Sequence, residues 1–480
     1  MKMTLSHSSN VRSRVALFVA ACLLARAAVA ASPVAITADP NSPGAAVPDR
    51  FSGLSYEMAL VLPGTNGSYF FSPANKPLIT MFQTLGLKVL RVGGNTADRP
   101  GINVPGPADI DSLFAFARAA DVKVIFTLRL RQSNPADAVK VAKYVMDHYQ
   151  PQLICFAIGN EPNVFDKTYS AYHDDLIKYM SAILAVAPDA KFGGPSTTPG
   201  KAAWVRQFAG EFAHNPHVVM VTQHDYPGGA ARTATNTVSG RDRMLSTAWV
   251  KYNQKFYESI ALEAMSNGLP FRLEEANSFY NGGAKDVSDT FASALWALDY
   301  QYWWASKGCD GINFHTGDTV AAGEKNTPCR YASFWTAADG YAAHPIAYAV
   351  KAFNLGANGR IVPVKITANT DNINLTAYGV LAPDGSLYVT LINKEHDSGA
   401  HDAAVTINTG DSRPGGYIMR LTSPRGDVAA TSGTTLGDGA IADDGSWDGS
   451  WTPLATPAAD GKCLLDLPAT SAAVIRLTSK

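Results

Sequence analysis

The stretch Leu153-Ile154-Cys155-Phe156-Ala157-Ile158-Gly159-Asn160-Glu161-Pro162-Asn163 decides the fold. Its first six residues are apolar without interruption. They read as a strand buried on both faces, the pattern of a parallel sheet with helices on each side. Gly159 ends the run, and Asn160, Glu161 and Asn163 crowd polar groups onto the strand's last turn. A helical stretch, 168–187, follows and stops at Pro188.

The same alternation recurs on either side. Short β-rich runs at 51–58, 87–95, 123–130, 191–196, 218–226, 271–278 and 311–316 join 153–162 to make eight. Between them, 109–120 carries Ile110, Leu113, Phe114, Phe116 and Ala117 at helical spacing. Residues 136–148 follow Asn134-Pro135, a helix start, and 290–306 is aromatic and apolar up to Gly308. Eight strand–helix units predict an α/β fold, a (β/α)8 barrel over residues 51–354. A doubly wound open sheet is the rival, but no glycine-rich dinucleotide turn follows the first strand.

After about residue 355 the texture changes. Short alternating runs at 373–380, 387–393, 403–408, 417–422, 463–467 and 472–478 are separated by turns such as Pro383-Asp384-Gly385 and Pro414-Gly415-Gly416. They predict an antiparallel β-sandwich domain over 355–480. Within residues 31–50, the strand-like run 33–38 is expected to complete that sandwich from the other end of the chain. The stretch 429–451, rich in Gly, Asp, Ser and Thr, reads as a surface loop.

Residues 1–30 are a separate object. Lys2, Arg12 and Arg14 precede the apolar run 15–24, and Ala28-Val29-Ala30 resembles a cleavage site. This predicts a secretory signal peptide, a secreted or periplasmic protein, and no membrane attachment after cleavage. Removing Lys2, Arg12, Arg14 and Arg26 leaves 36 basic against 41 acidic side chains, a net charge of −5. Such a chain has no global field for a polyanion, and nucleic acid is not an expected partner. Of the cysteines, Cys22 leaves with the signal. Cys309 and Cys329 are expected to pair, closing a short loop, and Cys155 to be a buried free thiol. No spacing suggests a zinc site, and no metal or organic cofactor is expected.

Active sites of such barrels lie where the strands end. The ends here are Arg91-Val92-Gly93-Gly94-Asn95 with Asp98 behind, Gly159-Asn160-Glu161-Pro162-Asn163, Gln223-His224-Asp225-Tyr226, Glu274-Glu275-Ala276-Asn277-Ser278 and Asn313-Phe314-His315. Glu161 leaves an apolar strand, so partial desolvation would suit it to donate a proton. Alternatively it caps the helix that follows. Glu275 ends the seventh strand, facing Glu161 across the ring, or is a salt-bridge partner for Arg91. Two carboxyl groups about 5–5.5 Å apart would retain configuration, and about 6.5–9.5 Å would invert it.

Four segments, Leu90–Gly94, Gly159–Asn163, Val221–Tyr226 and Glu275–Gly283, in this order resemble glycoside hydrolase family 79, which holds β-glucuronidases and heparanases. The resemblance implies a retaining hydrolase with Glu161 as acid/base and Glu275 as nucleophile. It implies that Asn160 bonds the hydroxyl next to the anomeric carbon, that Tyr226 orients the nucleophile, that His224 lines the cleft and that Asp98 binds sugar hydroxyls. For a sugar carboxylate it points to Tyr280, Asn281 and Gly282, with Tyr331 as a second tyrosine whose surroundings match the family poorly. Glu274 competes with Glu275, but successive strand residues point to opposite faces, so only one can face the mouth. The segment from Ala276 to Gly283 selects Glu275. The expected substrate is a carbohydrate with terminal β-linked glucuronic acid. Endo-action on glucuronic-acid-containing glycosaminoglycans is the alternative, disfavoured by the acidic chain. Action on neutral sugars and a non-catalytic carbohydrate-binding barrel are the further rivals.

Overall fold

Eight apolar runs, each too hydrophobic to leave a face in water, satisfy both faces at once by closing on themselves. The computed structural model describes residues 31–320 and 327–479; the predicted signal peptide lies outside these. The strands Ser52–Glu57, Val89–Gly93, Lys123–Leu128, Leu153–Ile158, Phe192–Thr197, Val218–Asp225, Phe271–Ala276 and Gly311–His315 form a closed parallel barrel in chain order, the last pairing with the first. The fold is the predicted one, with strand ends displaced by a residue or two except for the fourth, which stops at Ile158 rather than 162.

Helices wrap the barrel, and several carry their own start signals. Asn134 accepts from the Asp137 N–H at the head of Pro135–Tyr149, and Thr168 from Ala171 at the head of Tyr169–Leu184. The helix Phe291–Ser306 is buried along almost its whole length. A helix apolar all round must be covered all round. The barrel covers one side, and the helix Pro345–Gly356 and the sandwich cover the other.

The sandwich has a four-stranded sheet in the order Val364–Asn369, Ser32–Ala38, Ala403–Asn408, Lys462–Leu467. Its partner sheet runs Arg360–Val362, Leu375–Leu381, Leu387–Asn393, Ser471–Thr478, Gly415–Thr422, Thr435–Leu436. Val34, Ile36, Val405, Ile407, Val389 and Ile475 are among the side chains filling the space between. One pairing departs from the antiparallel expectation. Ser32–Ala38 runs parallel to Ala403–Asn408, because it enters from the other end of the chain.

Two expectations are corrected. The stretch 429–451 is a strap rather than a free loop. Its apolar residues Leu436, Ile441 and Trp447 join the barrel-side core, the Ile441 N–H donates to the Tyr348 hydroxyl, and Lys351 stands over the Trp447 ring at 3.9 Å. Cys309 and Cys329 are both free. Cys309 precedes the eighth strand at the barrel's floor, whereas Cys329 packs with Tyr226 and Tyr331 at its mouth. A five-residue strand between them spans about 13 Å, twice what a disulfide tolerates. Cys155 is free and buried, as expected.

Sandwich and barrel are joined by a buried charge pair. Lys394 Nζ lies 2.7 Å from Asp299 on the helix Phe291–Ser306, and the Tyr378 hydroxyl donates to the same carboxylate at 2.6 Å. Lys394→Met strands a buried anion, so stability should fall by about 3–5 kcal/mol, read as a lower denaturant midpoint. A loss under about 1 kcal/mol would mean the pair does not hold the two parts together.

Candidate active site

The inward side chains of the barrel form layers. At the floor, the Arg272 guanidinium donates to Asn313 Oδ1 at 2.7 Å and to Asp310 at 3.1 Å. Above it, Val89, Ile125, Cys155 and Met220 make a small apolar plug. Above the plug the interior becomes charged: Arg91, Glu274, Glu275, His224, His315 and Glu57 are all buried.

Arg91, fully buried, organises this layer. Its Nη1 donates to Glu275 Oε2 at 2.7 Å and to Ser55 Oγ at 3.1 Å. Its Nη2 donates to Asn160 Oδ1 at 2.7 Å and stands 3.9 Å from Glu274. The second Glu275 oxygen accepts the Tyr226 hydroxyl at 2.8 Å. His224 Nδ1 lies 3.7 Å from Glu275 Oε1 and His315 Nδ1 lies 3.8 Å from its Oε2. Burial by itself would raise the Glu275 pKa. The positive charges of His315, His224 and Arg91, with the Tyr226 bond, outweigh it and hold the carboxyl well below its usual range. Burial likewise would lower His224, but Glu275, the bond to Glu161 and the nearness of Glu274 push it up to about 9.

Glu161 is placed by backbone strain. Gly159 has φ +81°, and Glu161 itself sits in the left-handed region at φ 49°, ψ 52°. For a residue with a Cβ that conformation costs about 1–2 kcal/mol. The Glu161 N–H donates to Ser196 O, anchoring the turn, and Pro162 opens a single 3-10 turn. The turn lifts the carboxylate to the mouth, where it is 19% exposed and its Oε1 pairs with His224 Nδ1 at 2.9 Å. One oxygen of Glu161 and one of Glu275 lie within 4.8 Å of each other. An approach this close is compatible with the shorter of the two spacings.

Both carboxylates open onto a cleft of about 750 Å³, whose walls include Glu57, Tyr226, Arg243, Tyr252, Tyr280, Asn281, His315 and Tyr331. Tyr280 and Asn281 are exposed on the loop after the seventh strand. The Tyr280 N–H donates to Gly229 O and so is not open to a ligand. Gly282 does not line the cleft. A Cβ there would meet Val320 at 2.3 Å, and one at Gly283 would meet the Tyr331 N at 2.8 Å. The two glycines therefore let the segment bearing Tyr331 close against the loop. Tyr331, placed only weakly by the sequence, stacks at the mouth with its ring 6.2 Å from that of Tyr226 and 6.0 Å from His315.

Other predicted residues are repositioned. Asp98 accepts three backbone N–H groups, from Leu130 at 2.7 Å, Arg131 at 2.9 Å and Asn160 at 2.6 Å. It ties three loops together, and it borders a hollow of about 250 Å³ that adjoins the main cleft at Asn95 and Glu161. Asn160 also borders that hollow, with its amide oxygen fixed by Arg91. His224 is fully buried and lies beneath the carboxylates instead of lining the cleft.

The alternation argument for the two adjacent glutamates also needs revision. Arg272 and Glu274 are the inward-facing pair of the seventh strand. Its pairing slips beside Glu275, between Gln223 and His224 on one side and between Leu273 and Ala276 on the other. The slip turns Glu275 over the mouth, so both glutamates reach Arg91. Glu57 and His315, unselected from the sequence, end the first and eighth strands; their signal was that position.

Glu161, His224 and Glu275 bring donor atoms together, as do Asp242, His396 and Asp397 on the surface. In each group hydrogen bonds or ion pairs among the members already account for the approach.

No family model matches the chain. Over 104 residues it is 28% identical to a β-glucuronidase of Aspergillus niger, a match covering 21% of this chain and 19% of that protein. Over 329 residues it is 23% identical to a hyaluronoglucuronidase of Hirudo nipponia, covering 55% of this chain and 64% of that one. The chain resembles the β-glucuronidases. The matched stretches span less than two thirds of either relative. Among solved structures, a 4-O-α-L-rhamnosyl-β-D-glucuronidase from Fusarium oxysporum superposes with a TM-score of 0.70 over 92% of this chain and 99% of that one, at 20% identity, which speaks for the fold.

The charge layer ties stability to pH. His224 holds its proton more tightly folded, at about 9 against 6.5 unfolded. Its contribution is therefore complete below about pH 6.5 and lost as pH rises through about 9. Glu275 is depressed, so its contribution is present above about pH 4.5 and lost on acidification. The melting temperature should be highest between these limits and should fall from pH 7 to 9 by an amount reflecting about 2 kcal/mol. A melting temperature that rises over that interval would contradict the assignment.

Proposed function

We propose that the protein is a retaining glycoside hydrolase that releases terminal β-linked glucuronic acid from glycans or glycoconjugates. The approach of Glu161 and Glu275 to within 4.8 Å at the mouth of one cleft carries the reading. Glu275, held ionised by its cationic neighbours, attacks the anomeric carbon. Glu161, reaching into the cleft, protonates the leaving oxygen. Water then hydrolyses the glycosyl-enzyme with Glu161 as base, its proton affinity now set without the Glu275 charge. The resemblance to β-glucuronidases supports a uronic acid in the cleft, as do Arg243 and His315 on its walls and the tyrosines Tyr280 and Tyr331. Residues 1–30 support export, and no helix among the described residues is long and apolar enough to cross a membrane.

The test compares p-nitrophenyl β-glucuronide, the β-glucoside and heparan sulfate, with the first-formed anomer followed by NMR. The glucuronide should be cleaved best, releasing the β-anomer first. Glu161→Gln should lower kcat by about 10²–10⁴-fold on a poor leaving group. Glu275→Gln should lose on the order of 10⁴-fold or more. A preference for the glucoside would remove the uronate, first release of the α-anomer would remove retention, and internal cleavage of heparan sulfate would replace exo- with endo-action.

A further inference from the structure

Glu274 is the buried charge that the reaction above does not use. It has no exposure and no place on the cleft wall. Neither of its oxygens makes a close hydrogen bond. Its cationic neighbours are His224, with Nε2 at 3.5 Å, and Arg91, with Nη2 at 3.9 Å. Facing it as well are Glu275 alongside, Ser196 on the fifth strand and, farther off, Cys155 on the fourth strand and Tyr172 on the helix Tyr169–Leu184. A bare carboxylate at such depth is expensive unless opposite charge answers it. Arg91 is already engaged by Glu275, so the second cation must come from the histidine.

Resting on the hydrolase reading above, we propose that Glu274 is a positioning residue for the acid/base carboxylate: its charge keeps the His224 ring doubly protonated, so that Nδ1–H is donated to Glu161 Oε1 throughout the reaction. The geometry of the ring carries this. Nδ1 faces Glu161 Oε1 at 2.9 Å and Nε2 faces Glu274 Oε1 at 3.5 Å. A neutral imidazole has one N–H and must present a lone pair to one of the two acids. Only the imidazolium donates to both; a neutral ring with its proton on Nε2 could meet Glu161 only by accepting the acid's proton at Nδ1, which would turn that proton away from the leaving group. With Oε1 occupied, the proton that Glu161 transfers resides on Oε2, which fixes the face of the carboxyl turned to the leaving group. The raised proton affinity of His224 agrees.

Glu274→Gln removes one of the three carboxylates around the ring and leaves Nε2 without its anionic neighbour, so the ring holds its second proton less tightly, with Glu275 and Glu161 still in place. The ring stands 2.9 Å from Glu161 and 3.7 Å from Glu275, so weakening its charge removes cationic support from Glu275 and the donor from Glu161 Oε1.

The experiment has two readouts. In [15N]histidine-labelled protein, with the His224 signal assigned by its loss in His224→Asn, both ring nitrogens should carry protons at pH 7.5 in the wild type, and the ring should lose its second proton at lower pH in Glu274→Gln. This measurement needs no substrate and stands whether or not a glucuronide is turned over. On the glycoside the protein cleaves best, both limbs of the kcat/KM–pH profile should move up by about 1 unit or more in Glu274→Gln, while Glu274→Asp keeps the wild-type limbs. A neutral His224 at pH 7.5 in the wild type overturns the proposal, and so does Glu274→Gln with unmoved limbs and only a lower maximum. If Glu274→Gln does not fold, the wild-type signal decides alone.

Discussion

The site depends on a guanidinium buried where no water reaches it. Arg91 is tolerable there only because its donors find acceptors on strands that are far apart in sequence: Ser55 on the first, Asn160 after the fourth, Glu275 on the seventh. Each of these bonds does two things. It offsets the desolvation of the cation, and it fixes the side chain that accepts it. Asn160 has its amide oriented, and Glu275 has one oxygen immobilised, by the group that also keeps it charged.

A charged layer of this kind is expensive, and the remainder of the fold supports it mechanically. The apolar plug of Val89, Ile125, Cys155 and Met220 closes the barrel beneath it. The helix Phe291–Ser306, which joins the seventh and eighth strands, is clamped from outside by the sandwich through Asp299 with Lys394 and Tyr378, and through the Tyr302 hydroxyl, which accepts from Thr390 at 2.9 Å. The sandwich thus stiffens the two strands that carry Glu275 and His315. Its own location, folded back from the C-terminus and completed by Ser32–Ala38, brings both ends of the described chain to this support.

What the sequence disclosed follows from which forces are local. Apolar runs, most of them nearly continuous, and helix caps are local, and they placed all eight barrel strands. Strand ends rich in polar residues are local too, and they pointed to Glu161, Glu275 and Tyr226, which the fold brings together on one cleft. The failures were spatial. Cys309 and Cys329 are near in sequence but separated by the length of a strand. The strap over residues 429–451 hides Leu436, Ile441 and Trp447 within a polar average, so its packing was invisible to composition. Asp98 has the chemistry of a sugar ligand, but three backbone donors from separate loops claim it first. Alternation along the seventh strand, applied alone, would have chosen Glu274. The slipped pairing that brings Glu275 to the mouth is a property of its neighbours, which a single strand's sequence does not encode.

The same contrast separates the two carboxylates that matter most. Both oxygens of Glu275 are held, by Arg91 and by Tyr226, and two imidazoles flank them. Such a group is an anion that stays where it is. Glu161 has one firm side-chain partner, a strained backbone beneath it and a share of its surface in the cleft. A group so placed can take up and release a proton without dismantling its surroundings. Environment alone thus suits two chemically identical side chains to the different work proposed for them above. His224, which touches both, is the element through which the charge state of one is felt by the other.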